Sequence, residues 1–229
     1  MHLLTPKKST LVGTWNVRTM FQAGKAATIA KEMVHYNLSV LGLGETRWTQ
    51  SGEVNLPSGQ SVIYSDHEED GANHTEGVAI MMTKETRKAL IAWEPISSRL
   101  ITASFRTNNR IVKAHIIQCY APTNDAVDDV KARFYDSLNH LRGRVGARDF
   151  IILMGDFNAK IGGRNEGYEE VMGKHGVGKM NENGEMFVET CGNNNLIIGG
   201  SVFLHKTKHK TTWVSPDRYR KPNRSHLYL

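Results

Sequence analysis

Four apolar runs each stop at a polar side chain, and this punctuation constrains the fold more than any other feature of the sequence. Thr10–Val17 (TLVGTWNV) carries Asn16 near its end, Ser39–Gly44 runs out at Glu45, Arg110–Tyr120 closes on Tyr120, and Phe150–Gly155 (FIILMG) is followed by Asp156. The runs are short and rich in β-branched residues, which predicts strands. Between the first two, Ala26, Ile29, Ala30 and Met33 recur at helical spacing within Ala23–Tyr36, so the chain opens as strand, helix, strand with an acid where the second strand ends. Gly77–Met82 and Arg99–Arg106 predict further strands, the latter joined to Arg110–Tyr120 as a hairpin across the turn-prone Thr107-Asn108-Asn109. From Ala126 to Val145, Val130, Phe134, Leu138, Leu141 and Val145 repeat at three- and four-residue steps. Asp128 and Asp129 in the first turns and Arg142 and Arg144 in the last complement the dipole of that helix. Phe150–Gly155, apolar on both faces, predicts a central buried strand. After Asn158 the pattern loosens into a Gly-, Asn- and Glu-rich loop up to about Glu182, then a helix over Gly184–Asn195 and strands near Leu196–Phe203 and Thr211–Val214. Interleaved strands and helices without an internal repeat or linker predict a mixed-sheet α/β layered fold.

At 229 residues one compact domain is the default. The chain is 39% hydrophobic and 23% charged, and no apolar run approaches the ~18 residues that cross a bilayer. Collagen, wholesale disorder and a membrane span are excluded on that composition. The net charge of +6 invites a nucleic-acid partner, but its location qualifies it. From His205 onward there are seven basic residues against Asp217 alone, which leaves 22 basic and 22 acidic residues before that point. The body is therefore neutral and the excess belongs to the last 25 residues. Two cysteines, Cys119 and Cys191, are too few for a disulfide scaffold, and MHLLTPKKST lacks the apolar core of a secretory signal. These features point to a reducing compartment, nuclear or cytoplasmic, and away from secretion.

A single Glu or Asp closing a strand is more often a turn residue or helix cap than a ligand. Recurrence at several strand ends shifts the balance. Hard divalent cations take oxygen donors, commonly one or two carboxylates, with the other positions left to water and substrate phosphate; Glu45 and Asn16 suit that role. Asp156 suits accepting a proton from, or orienting, an attacking water, with Asn158 donating to a phosphate oxygen and Tyr120 donating to the same group. Competing chemistries lack their spacing: two cysteines 72 positions apart make no zinc site, and HExxH, GxxxxGK[ST] and GxSxG are all absent. The tract His205-Lys206-Thr207-Lys208-His209-Lys210 reads as a solvated basic loop before it reads as a metal or phosphate site.

Taken in order, TWNVRT, LGLGETRW, QCYAPTN, LMGDFNAKIG and TTWVSPD resemble the endonuclease/exonuclease/phosphatase superfamily, and within it the apurinic-type endonuclease domain of non-LTR retrotransposons. The resemblance runs from about Thr10 to Asp217. It implies a DNase I-like four-layer sandwich of two mixed β-sheets packed face to face and flanked by helices. The implied domain spans 10–215, between an N-terminal tail at 1–9 and a divergent basic tail at 216–229. It implies Mg²⁺ or Mn²⁺ held by Glu45 with Asn16, Tyr120 as the phosphate-contacting tyrosine, Asp156 as the residue that activates water, and Asn158 as its partner. Arg47 and Asn124 become DNA-backbone contacts. The implied partner is DNA, with no membrane; a monomer and a former fusion to a reverse transcriptase accord with this. Family members follow TTWVSPD with text like NQIDHI, whereas here Asn223-Arg224-Ser225-His226-Leu227-Tyr228-Leu229 carries no carboxylate. The resemblance thus implies a C-terminally truncated member lacking the last strands and the terminal Asp-His pair. Three readings stand: a metal-dependent DNA endonuclease, a catalytically inactive remnant with at most nucleic-acid binding, and a phosphatase or deadenylase of the same superfamily.

Overall fold

Strands β1 (Val12–Asn16) and β2 (Val40–Gly44) pair in parallel, with α1 (Lys25–His35) crossing between them. This computed structural model describes residues 2–4, 9–67 and 75–206. The expected strand at Thr211–Val214, the TTWVSPD motif and the basic tail at 216–229 lie outside them. The chain groups into two compact units, Met1–Tyr120 with Val145–Gly155, and Ala121–Arg144 with Asp156–Leu229.

In the first unit β3 (Gly52–Asn55), β4 (Ser61–Ser65) and β5 (Val78–Met82) complete a five-stranded sheet in the order β1-β2-β5-β4-β3. It is mixed, since β2 and β5 pair antiparallel. After the short helix α2 (Lys84–Arg87), β6 (Leu90–Ser97), β7 (Leu100–Arg106), β8 (Lys113–Tyr120) and β9 (Phe150–Asp156) form a second sheet in that order. The hairpin expected across Thr107-Asn108-Asn109 is present as β7–β8. Among the described residues β9 ends this sheet and Phe150 is exposed, in place of the expected central position.

Strand periodicity explains why β2 and β5 are apolar throughout. Val40, Val78, Ile80 and Met82 point into one core with Ala103, Phe105, Ile116 and Met154 of the second sheet, so the sheets pack face to face. The alternate residues Leu41, Leu43, Ala79 and Met81 meet Ile29, Ala30 and Met33 of α1 on the other face. Leu3 joins the inter-sheet core, its N–H donating to the Arg106 carbonyl over 2.8 Å. One polar side chain crosses that core: Gln118, fully buried, accepts from Thr14 Oγ1 at 3.2 Å and donates to the Cys119 carbonyl. It fits because Gly42 lacks a side chain, a Cβ there falling 1.9 Å from Gln118 Oε1.

The second unit contains α3 (Asp128–Gly143) and α4 (Glu182–Asn193). The two helices meet where Tyr135 Oη donates to the Asn183 carbonyl at 3.2 Å and Arg142 Nε to the Asn194 carbonyl at 3.3 Å. Residues 157–181 contain no helix or multi-residue strand, as the loop reading required. Leu196–Phe203 departs from its expected strand: only Ile198 bridges, to Met172, and Gly199–Val202 forms the short helix α5. Ser201 Oγ donates to the Ile198 carbonyl at 2.6 Å and tightens that turn, while Ile197, Phe203 and Leu204 remain exposed.

Candidate phosphodiesterase site

Parallel pairing of β1 with β2 sets Asn16 opposite Gly44, the residue before Glu45. The Asn16 Nδ2 donates to Glu45 Oε1 over 2.6 Å, and Asn16 Oδ1 accepts the Arg18 backbone N–H at 3.1 Å, which fixes the amide's orientation. Glu45 holds φ 55 and Arg47 φ 58, left-handed conformations that non-glycine residues occupy only where surrounding contacts impose them. The contacts are visible: the Thr46 N–H donates to the Gly77 carbonyl at 3.0 Å and the Arg47 N–H to the Glu76 carbonyl at 2.8 Å. The Glu45 side chain is 12% exposed, with Arg47 Nη2 3.9 Å from its Oε2. Tyr120, at the end of β8, is buried with its ring beside Gly44; a Cβ on Gly44 would touch Tyr120 Cδ2 at 3.9 Å. The first unit therefore brings Asn16, Glu45, Arg47 and Tyr120 to one end of its sheets.

In the second unit Asp156 is buried and its Oδ1 accepts the Asn158 N–H at 3.1 Å, an Asx turn that Asn158 completes with φ 48. The Asn158 Nδ2 donates to the Ala121 carbonyl at 2.8 Å, and the Ala121 N–H donates back to the Asp156 carbonyl at 2.8 Å. Asn124, read as a DNA contact, accepts the Asn183 N–H on its Oδ1 at 3.3 Å.

The sequence reading missed four contributors. Asn183 is buried, and its Nδ2 donates to the Pro122 carbonyl at 2.9 Å and the Asn158 carbonyl at 3.4 Å, tying the two loops together. Asn181 caps α4, its Oδ1 accepting the Gly184 N–H at 2.9 Å and the Lys160 N–H at 2.8 Å; the Asn-Glu-Asn-Gly spacing before the helix was a readable cap signal. Glu76 and Arg99 pair beside Tyr120. They lie at the starts of apolar runs, where nothing marks them out.

The chain is 34% identical over 215 residues to craniofacial development protein 2 of Bos taurus, an alignment covering 93% of this chain and 35% of that protein. It is 33% identical to the Tragulus javanicus protein of the same name, covering 93% and 36%. It thus spans about a third of the length of these curated relatives. Two solved structures share the fold. The endonuclease domain of TRAS1, a telomere-specific non-LTR retrotransposon, matches with TM-score 0.53 and 16% identity over 81% of this chain and 71% of its own. The AP endonuclease LMAP from Leishmania major matches with TM-score 0.56 and 16% identity over 83% and 68%. The chain is a homologue of craniofacial development protein 2 with a DNase I-like fold. Its two mixed β-sheets are those expected of that fold. No family model matches the chain. No helix among the described residues is long and apolar enough to cross a membrane.

Proposed function

We propose that this chain is a metal-dependent phosphodiesterase, specifically a DNA endonuclease of retrotransposon origin. The observation that carries the reading is the 2.6 Å contact between Asn16 Nδ2 and Glu45 Oε1 at the ends of paired parallel strands. It holds a largely enclosed carboxylate in a fixed orientation. Among the described residues no three His, Cys, Asp or Glu side chains cluster as a metal cage. The donor set is one carboxylate and one carboxamide, which fits a hard cation that keeps several waters and takes the rest of its shell from substrate phosphate. Glu45, supported by Asn16, is therefore the residue to hold Mg²⁺ or Mn²⁺. An ion there supplies charge neutralisation for the phosphoryl oxygens.

The remaining roles follow from donors and acceptors. Asp156, buried and oriented by the Asx turn, accepts a proton from the attacking water. Asn158 spends one N–H on Ala121 and offers the other to a phosphate oxygen, and the Tyr120 phenol is a phosphate donor as well. Fixed donors of this kind act on charge that develops in the transition state. Arg47 contributes a cationic side chain, 42% exposed, and Asn124 its carboxamide, for the DNA backbone. The likeness to an AP endonuclease and to a retrotransposon endonuclease domain supports DNA as substrate over a small phosphomonoester. Two buried free cysteines accord with a nuclear or cytoplasmic setting.

The test is nicking of supercoiled plasmid and of a duplex with one abasic site. Cleavage should require Mg²⁺, stop with a chelator, and fall roughly 100-fold or more in Asp156→Asn. Wild type that cleaves neither substrate, or Asp156→Asn that cleaves equally, overturns the reading. Salt-sensitive DNA binding without turnover is the signature of an inactive remnant.

A further inference from the structure

We propose that Arg99 is a positioning residue that orients Tyr120 and is itself locked by Glu76. The inference rests on the reading of Tyr120 as the phosphate-contacting hydroxyl. Arg99 engages Tyr120 in three ways within the first unit. Its backbone carbonyl accepts the Tyr120 N–H at 2.9 Å, its Nη1 donates to the Tyr120 carbonyl at 3.2 Å, and its Cζ lies 5.3 Å from the centre of the Tyr120 ring. The other arm of the guanidinium, Nη2, pairs with Glu76 Oε1. Glu76 Oε2 accepts from Ser98 Oγ at 2.5 Å and lies 3.6 Å from His67 Nε2. The carbonyl of Glu76 accepts the Arg47 N–H, two residues past Glu45.

The arrangement links the segment that presents Glu45 to the residue that presents the phenol. Arg99 and Glu76 are mostly enclosed, with side chains 22% and 16% exposed, so their pairing is less screened than a surface ion pair. A planar guanidinium is needed because one end must serve the Tyr120 carbonyl while the other serves Glu76, and it lies against the ring as well. A lysine ammonium cannot span those partners. An ordinary strand-to-loop ion pair has no reason to hold the backbone carbonyl of one residue and lie against that residue's ring as well.

The experiment uses the full chain with Arg99→Gln, Arg99→Lys, Glu76→Gln, Tyr120→Phe and the Arg99→Gln/Tyr120→Phe double variant. In plasmid nicking, kcat should fall about 10- to 100-fold in both Arg99 variants with KM unchanged, as for a misplaced reacting group. The double variant should be no slower than Tyr120→Phe within about twofold; multiplied losses overturn the proposal. In protein labelled with 3-fluorotyrosine, the ¹⁹F resonance missing from Tyr120→Phe identifies Tyr120. That resonance should shift in Arg99→Gln and in Glu76→Gln while the far-ultraviolet circular dichroism stays native. A folded Arg99→Gln with the resonance unmoved overturns the proposal. If Arg99→Gln does not fold, an unmoved resonance in folded Glu76→Gln overturns it equally. The fluorine measurement needs no turnover, so a wild type that fails to nick DNA counts against the proposed activity while the role of Arg99 is still decided.

Discussion

Gly155 lies against Cys119 so closely that a Cβ on it would fall 2.0 Å from the Cys119 carbonyl oxygen and 2.7 Å from the carbonyl carbon. Its φ of 142 is one that side chains rarely adopt. The obstruction is backbone, so no side chain can move aside. Gly155→Ala should therefore cost about 3 kcal/mol or more, read as a lower urea midpoint. Because Asp156 is the next residue, DNA cleavage should fall in the fraction that remains folded. A variant as stable as wild type would show that the close approach is not a constraint.

Phe157 stacks on Phe187 of α4, ring centroids 4.1 Å apart and planes at 25°, with both rings buried. Phe157 separates Asp156 from Asn158, so the stack holds the turn between them. Phe187→Ala should destabilise by about 4 kcal/mol and Phe187→Leu by less. Cleavage per folded molecule should follow the same order. Equal cleavage by both variants would detach the stack from the site.

Asn16 orients the Glu45 carboxylate without being needed to supply its charge. Asn16→Ala should raise the Mg²⁺ concentration for half-maximal cleavage about tenfold, with partial recovery at high Mg²⁺. Glu45→Gln should not recover. A Mg²⁺ titration unchanged in Asn16→Ala would remove Asn16 from the metal site.

Asp149 binds the first unit together at low solvent exposure. Burial pushes its carboxyl up, but the Lys113 N–H at 2.7 Å, the His115 ring at 3.2 Å and the Lys113 charge outweigh that and hold it below its ordinary value. A carboxyl depressed in the folded state stabilises fully above its unfolded value, about 3.9, and loses that contribution as pH falls through the folded value. The Tm difference between wild type and Asp149→Asn should therefore be constant above about pH 5 and shrink below about pH 4. A difference that stays flat down to about pH 2 would contradict this.

Both thiols should resist modification. Cys119 and Cys191 are buried, and burial pushes the Cys191 thiol up to about 12. Since the thiolate is the reactive form, Ellman's reagent at about pH 8 should label neither residue in native protein and both in denaturant. Rapid labelling of the native protein would show that the core opens.

The sequence by itself determined the elements that carry their own pattern. β2 and β5 are legible because strands covered on both faces must be apolar at nearly every position, and α1 and α3 because their buried residues recur at helical spacing. Asn16, Glu45, Tyr120 and Asp156 are legible because a polar residue that ends such a run is conspicuous. β3 escaped for the opposite reason: Gly-Glu-Val-Asn at the edge of the sheet is exposed over most of its length, and it is a strand because β4 offers it a hydrogen-bonding partner. Leu196–Phe203 has strand composition but makes only the bridge at Ile198 and turns into α5. Tertiary structure alone decided which polar groups meet. Asn16 reaches Glu45 across a parallel pairing, Arg99 reaches Glu76 from the start of another strand, and Asn183 joins two loops from a helix 25 residues beyond Asn158. Such contacts have no local sequence period, because they depend on strand register and on loop closure between residues far apart in the chain.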